Sequence, residues 1–137
     1  MDSNIKNMKT LILLRGLPNS GKSTLAKLLA PNSRFEADDY FYDESDIYRF
    51  DATKLVTAHG KCQTNTRECM KLGLHETVVV SNTFTEEWEM SSYIKMAKDY
   101  DYRVQTVITE KRHDGDNGNN VPEETIKDMR NRFEIKL

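Results

Sequence analysis

A chain of 137 residues has the length of one domain, enough to bury roughly two thirds of its unfolded surface without a disulfide or structural metal. Charged residues make up 31% of it, and 20 Lys and Arg against 22 Asp and Glu leave a formal net charge of −2, which excludes a chain-wide electrostatic footprint for nucleic acid. No apolar run approaches the ~20 residues that span a bilayer, and Met1 to Lys9 is polar, so neither a membrane segment nor a signal peptide is expected.

Apolar runs of strand length alternate with helical patterns along the chain. This predicts one α/β domain over residues 1–137 with a parallel sheet. The first strand is expected at Lys9 to Arg15. It runs into Gly16-Leu17-Pro18-Asn19-Ser20-Gly21-Lys22-Ser23-Thr24, a G-x-x-x-x-G-K-[ST] phosphate-binding loop. A helix follows, ending near Ala30 before Pro31-Asn32.

Each residue type in this loop has a physical reason. Gly16 and Gly21 permit backbone angles and close approaches that a Cβ blocks. Successive backbone N–H groups, here from Pro18-Asn19-Ser20 onward (Pro18 itself lacking one), form an anion concavity at the positive end of the helix. Lys22 brings a charge to the β- and γ-phosphates, and Ser23, followed by Thr24, offers a hydroxyl to Mg²⁺. The loop predicts a bound nucleoside triphosphate, ATP or GTP, with a divalent metal.

A short second strand, Arg34 to Ala37, leads into Asp38-Asp39-Tyr40. Ligands of open α/β sheets bind beyond the carboxyl ends of the strands. Asp38 is therefore the candidate catalytic carboxylate: it either accepts a proton from an attacking hydroxyl or orders Mg²⁺. Asp39 is the better candidate for capping the next turn. Residues 41–51 read as an irregular aromatic and acidic loop, and Tyr40, Phe41, Tyr42, Tyr48 and Phe50 either stack a base or wall a small core.

A long helix is expected from Ala52 to Leu72, with Leu55, Ala58, Cys62, Thr66, Cys69 and Leu72 inward and Gly73 as its stop. Cys62 and Cys69 stand two turns apart on it, too far for a disulfide, and read as thiols of a reducing, cytoplasmic compartment. His59 and Arg67 lie near one face and are candidates for touching an acceptor. A third strand, Thr77 to Ser81, ends in Ser81-Asn82 where many phosphate-loop enzymes carry a metal-holding Asp. These two residues either bind a water or substrate group or form a buried turn.

A helix capped by Thr85 is expected to run to about Asp99, burying Trp88, Tyr93 or Ile94, and Ala97. The fourth strand is Arg103 to Ile108. Residues 111–120 form a Gly/Asn-rich loop, expected to be flexible and to act as a lid. Its Lys111 and Arg112 are candidates for stabilising a transferred phosphate, with Arg130 and Arg132 of the last helix as the other supply. That helix opens at Pro122.

Arg15 to Thr24, Ala37-Asp38-Asp39-Tyr40-Phe41, Ser81-Asn82-Thr83, Val121-Pro122-Glu123-Glu124 and Arg132-Phe133-Glu134 occur in order over nearly the whole chain. The sequence resembles the polynucleotide-kinase-like ATP-binding proteins, among them the kinase half of phage 5′-polynucleotide kinase and small phage AAA-type ATPases. The resemblance implies a three-layer αβα P-loop NTPase fold with a four- to five-stranded parallel sheet, the loop strand central. It implies that Asp38 is general base toward a 5′-hydroxyl and that a lid arginine near Arg112 contacts ATP phosphates. For a phage protein it would place the chain in the host cytoplasm. Phe41 stands where the phage kinase has an arginine for the acceptor phosphate, and the lid is poor in basic residues. Both departures concern the acceptor and leave the triphosphate site as it is.

Three readings follow. The first is a Mg²⁺-dependent kinase moving the γ-phosphate to a hydroxyl, with Lys22, Asp38 and Arg112 catalytic, Ser23 and Asp38 at the metal, and Gly16, Pro18 to Thr24 and Arg130 at the nucleotide. Its acceptor is a nucleic-acid 5′ end or a small molecule. The second is a nucleotide-binding interaction module with little or no turnover. The third is a small-metabolite kinase of the same fold.

Overall fold

A computed structural model describes residues 8–110 and 122–135. Four strands alternate with four α-helices: β1 (Lys9–Arg15), α1 (Lys22–Leu29), β2 (Arg34–Phe35), α2 (Leu55–Leu72), β3 (Thr77–Asn82), α3 (Ser91–Asp99), β4 (Tyr102–Ile108) and α4 (Glu123–Arg132). All strand pairs are parallel and the order is β2-β3-β1-β4. β1, central as expected, pairs along its length with both neighbours, Leu13 lying opposite Val80 and Thr106.

The central strands are apolar on both faces because helices cover both. Leu11, Leu13, Val78 and Val80 face a core shared with Ala58, Cys62, Met70 and Tyr93 of α2 and α3. Leu14 and Val79 face Ala26 and Ala30 at α1. The alternation places Ser81, two residues after Val79, on the α1 side of the sheet.

Several expectations are corrected. β2 stops at Phe35, and Ala37–Phe41 forms a 3₁₀ helix carrying Asp38 and Asp39. Its first flanking residue is Glu36, so Asp39 lies inside the helix and does not cap it. A 3₁₀ turn, Ala52–Lys54, precedes α2. The inward stripe of α2 is Ala58, Cys62, Thr66 and Met70. Four-residue steps hold one face, whereas Leu72 is turned about 200° from Met70; Leu72 is 69% exposed and Leu55 40%. Gly73 ends α2 in the left-handed conformation as expected.

The third helix is also shorter than its pattern suggests, since Glu87–Met90 is 3₁₀ and α3 begins at Ser91. Trp88 consequently points outward, 69% exposed, its ring N–H donating to Glu86 Oε2 at 2.9 Å. Tyr93 fills the core and meets Phe84 edge-on. The expected lid, 111–120, with Lys111 and Arg112, lies outside the described residues.

Candidate functional site

The loop leaves β1 with no spare residue. A Cβ on Gly16 would collide with the hydroxyls of Thr109 and Ser20, which bond each other at 2.7 Å. Asn19 (φ 63°) and Gly21 (φ 94°) both take left-handed angles, bending the backbone as an anion-binding nest requires. α1 then starts at Lys22 with its positive end at the loop. Pro18 borders the cavity beside the loop, and Thr24 is exposed on the first turn of α1.

Lys22 folds back over the loop, its ammonium donating to the carbonyl oxygens of Gly16 at 2.7 Å and Leu17 at 3.0 Å. Burial lowers its pKa to about 8, against the opposing pull of the Glu36 and Asp38 carboxylates. Ser23 Oγ donates to Glu36 Oε2 at 3.0 Å. Burial raises the pKa of the Glu36 carboxyl, as does neighbouring Asp39, while the bond from Ser23 opposes them. Asp38 is half-buried and accepts from the Tyr48 hydroxyl at 3.1 Å. Lys22, Ser23, Glu36 and Asp38 thus stand together beyond the ends of β1 and β2.

The end of β3 divides the two roles left open for it. Asn82 is a structural clamp: its Oδ1 accepts the Ala37 N–H at 2.9 Å and holds the turn that carries Asp38. The Ser81 hydroxyl is buried on the α1 side with no hydrogen-bond partner among the described residues. A buried hydroxyl in that position suits a water or a ligand oxygen.

A cavity of about 660 Å³ opens on the other side of the loop. Gly16 to Ser20 form one wall, and Ile126, Arg130, Phe133 and Ile135 of α4 and the segment after it form the other. Arg15 fixes that second wall. It is fully buried, with Nε donating to the Phe84 carbonyl at 3.0 Å, Nη2 donating to the Glu134 carbonyl, and the guanidinium 4.8 Å from the Phe133 ring centroid. The Glu134 N–H donates to the Thr85 carbonyl at 2.7 Å, and Arg132 Nε to the Thr85 hydroxyl at 3.0 Å. Arg132 is therefore engaged away from the loop, whereas Arg130 borders the cavity.

His59 and Arg67 are exposed and border neither cavity. Lys61 and Asn65 of α2 line the smaller cavity, about 210 Å³, beside Asp39 and Tyr40. Sequence reasoning missed Glu36 and Arg15 as site residues, and it offered Tyr48 for stacking a base or walling a core, not as a partner of Asp38. Glu36 had a signal: a carboxylate two residues before Asp38 at a strand end. The pairings of Tyr48 and Arg15 had none, because their partners are set by packing across the fold.

A family model described as an AAA domain, AAA_33, matches residues 11–135. The chain belongs to this AAA domain family. Human NEDD4-binding protein 2 is 36% identical over 98 residues, which are 69% of this chain and 5% of that protein. This chain therefore spans a small part of that relative's length. A gluconokinase from Sinorhizobium meliloti superposes with a TM-score of 0.52 at 16% identity, over 93% of this chain and 77% of its own. Kti12 from Chaetomium thermophilum, in complex with ADP-AlF3, gives 0.53 at 14% identity over 90% and 80%. At such identities the likeness is one of fold: this AAA_33 domain has the P-loop kinase-like fold, four parallel strands with helices on both faces. No helix among the described residues is long and apolar enough to cross a membrane.

Proposed function

We propose that this AAA_33 domain is a phosphotransferase moving the γ-phosphate of ATP or GTP to a hydroxyl. The observation carrying this reading is the grouping of Lys22, Ser23 and Glu36 with a separate carboxylate, Asp38. The loop and the Lys22 ammonium hold the β- and γ-phosphates, and Arg130 serves the phosphates or base from across the cavity. Asp38 takes the acceptor's proton as the hydroxyl oxygen bonds to the γ-phosphorus, the bond from that phosphorus to the bridging oxygen breaks, and the nucleoside diphosphate leaves with the electron pair.

Mg²⁺ fits this chain. It is bound by one or two protein oxygens together with substrate phosphates, and the Ser23 hydroxyl and Glu36 carboxylate are such oxygens. Among the described residues no group of three His, Cys, Asp or Glu side chains forms a cage of its own. Bound there, the ion would neutralise charge on the phosphate oxygens.

The acceptor side favours a small hydroxyl compound over a polynucleotide. Residues 36–51 hold seven acids (Glu36, Asp38, Asp39, Asp43, Glu44, Asp46 and Asp51) against one base, Arg49, and such a run repels a phosphate backbone. The test is transfer of labelled γ-phosphate to a panel of nucleosides, small alcohols, sugars and 5′-hydroxyl oligonucleotides. Labelling of a small acceptor, slowed about 10²- to 10⁴-fold but still measurable in Asp38→Asn, supports the reading. Tight triphosphate binding with no labelled product favours the interaction module, and preferred labelling of oligonucleotides reverses the acceptor assignment.

A further inference from the structure

We propose that Tyr48 is the positioning residue for Asp38, an assignment that rests on the phosphotransferase reading. The two meet through the Tyr48 hydroxyl and Asp38 Oδ1 at 3.1 Å. A carboxylate has two oxygens. With Oδ1 engaged by the phenol, Oδ2 is left to receive the acceptor's proton.

The phenol is itself held. Tyr42 and Tyr48 form an antiparallel bridge, and their rings lie 5.2 Å apart. The Tyr48 ring also meets buried Phe41 edge-on at 6.2 Å. Phe41 belongs to the same 3₁₀ turn as Asp38, and its carbonyl accepts the Arg49 N–H at 2.8 Å. The base and its donor therefore sit on two segments locked together by aromatic packing and backbone bonds.

The arrangement answers a specific difficulty. The Lys22 ammonium and the Asp38 carboxylate attract one another, and that pull works against keeping Asp38 free for the acceptor's proton. The hydroxyl of Tyr48 holds it toward the acceptor side. Burial and the nearby Asp38 charge push the Tyr48 phenol above its ordinary range.

The test is a double-mutant cycle of Tyr48→Phe and Asp38→Asn in the full chain, reading kcat and KM for the best acceptor of the panel, KM for ATP, and the thermal midpoint. Tyr48→Phe keeps the ring, so the midpoint and the KM for ATP should hold while kcat falls roughly 10- to 100-fold, the scale of a misplaced catalytic group. In the Asp38→Asn background the same change should have no further effect, because a residue acting through Asp38 has nothing left to act on. Transfer at the wild-type rate by Tyr48→Phe, or an equal fall in both backgrounds, overturns the assignment and leaves the phosphotransferase reading intact. Absence of transfer to every acceptor by the wild-type chain removes both.

Discussion

Ser23 and Glu36, thirteen residues apart, join the phosphate loop to the end of β2 through a 3.0 Å hydroxyl–carboxylate bond. The bond sets the Glu36 carboxylate of the β2 end beside Ser23, whereas β3 ends in Ser81 and Asn82, not in the Asp of many phosphate-loop enzymes. Glu36→Gln keeps the shape and removes the charge. The Mg²⁺ concentration for half-maximal transfer should rise about 10- to 100-fold, while metal-free nucleotide affinity, read by calorimetry, stays within about twofold.

Lys22 carries a pH signature. Its folded pKa, about 8, lies below its ordinary 10.5. Between those values the unfolded chain binds more protons, so the lysine's cost to the nucleotide-free domain is full below pH 8 and fades as pH rises toward 10.5. Urea unfolding should show wild type gaining on Lys22→Met between pH 7.5 and 10, by on the order of 3 kcal/mol at most. Phosphates restore the charge, so nucleotide binding at pH 8 should take up about half a proton, measured by calorimetry in buffers of differing ionisation heat.

Asn82→Ala removes the acceptor for the Ala37 N–H and leaves a buried donor unpaired, which costs about 1–3 kcal/mol. Denaturant unfolding should show that loss. Asn82→Asp keeps the accepting oxygen and should lose less of the Asp38-dependent transfer rate than Asn82→Ala.

Arg15→Met strands the carbonyls of Phe84 and Glu134 and removes the cation beside Phe133. A loss of about 2–4 kcal/mol in urea unfolding is expected, on the scale of two charge-assisted bonds. Nucleotide affinity should fall as well, because Phe133 and Ile135 line the large cavity. Arg132→Gln, which loses the part-buried bond to the Thr85 hydroxyl and the more exposed 3.9 Å pairing with Glu86, should cost less than Arg15→Met, about 1 kcal/mol.

The strand, phosphate loop and helix of the candidate donor site were readable in the sequence because their signals are local: β1, the loop and α1 are contiguous. The parallel sheet was readable for the same reason, from alternating runs such as Thr10 to Leu14 and Thr77 to Val80. The surroundings of Asp38 and the outward-turned residues were not. Trp88 and Leu72 fit helical spacing, but a 3₁₀ turn and the drift of a 3.6-residue period turned them outward. Tyr48 reaches Asp38 only because a hairpin folds back, and Arg15, a charged residue at a strand end, shows no sequence sign that its guanidinium is buried beneath Phe133.

The large cavity has a consequence in time. Its loop wall, Gly16 to Ser20, is made before its other wall, residues 123–135, and the Arg15 bond that anchors the second spans 119 residues of chain. Closing so distant a contact is slow and costly in chain entropy. On the phosphotransferase reading, a triphosphate would meet an unfinished cavity in a partly made domain, and any stabilisation it draws from the second wall waits until that wall has docked.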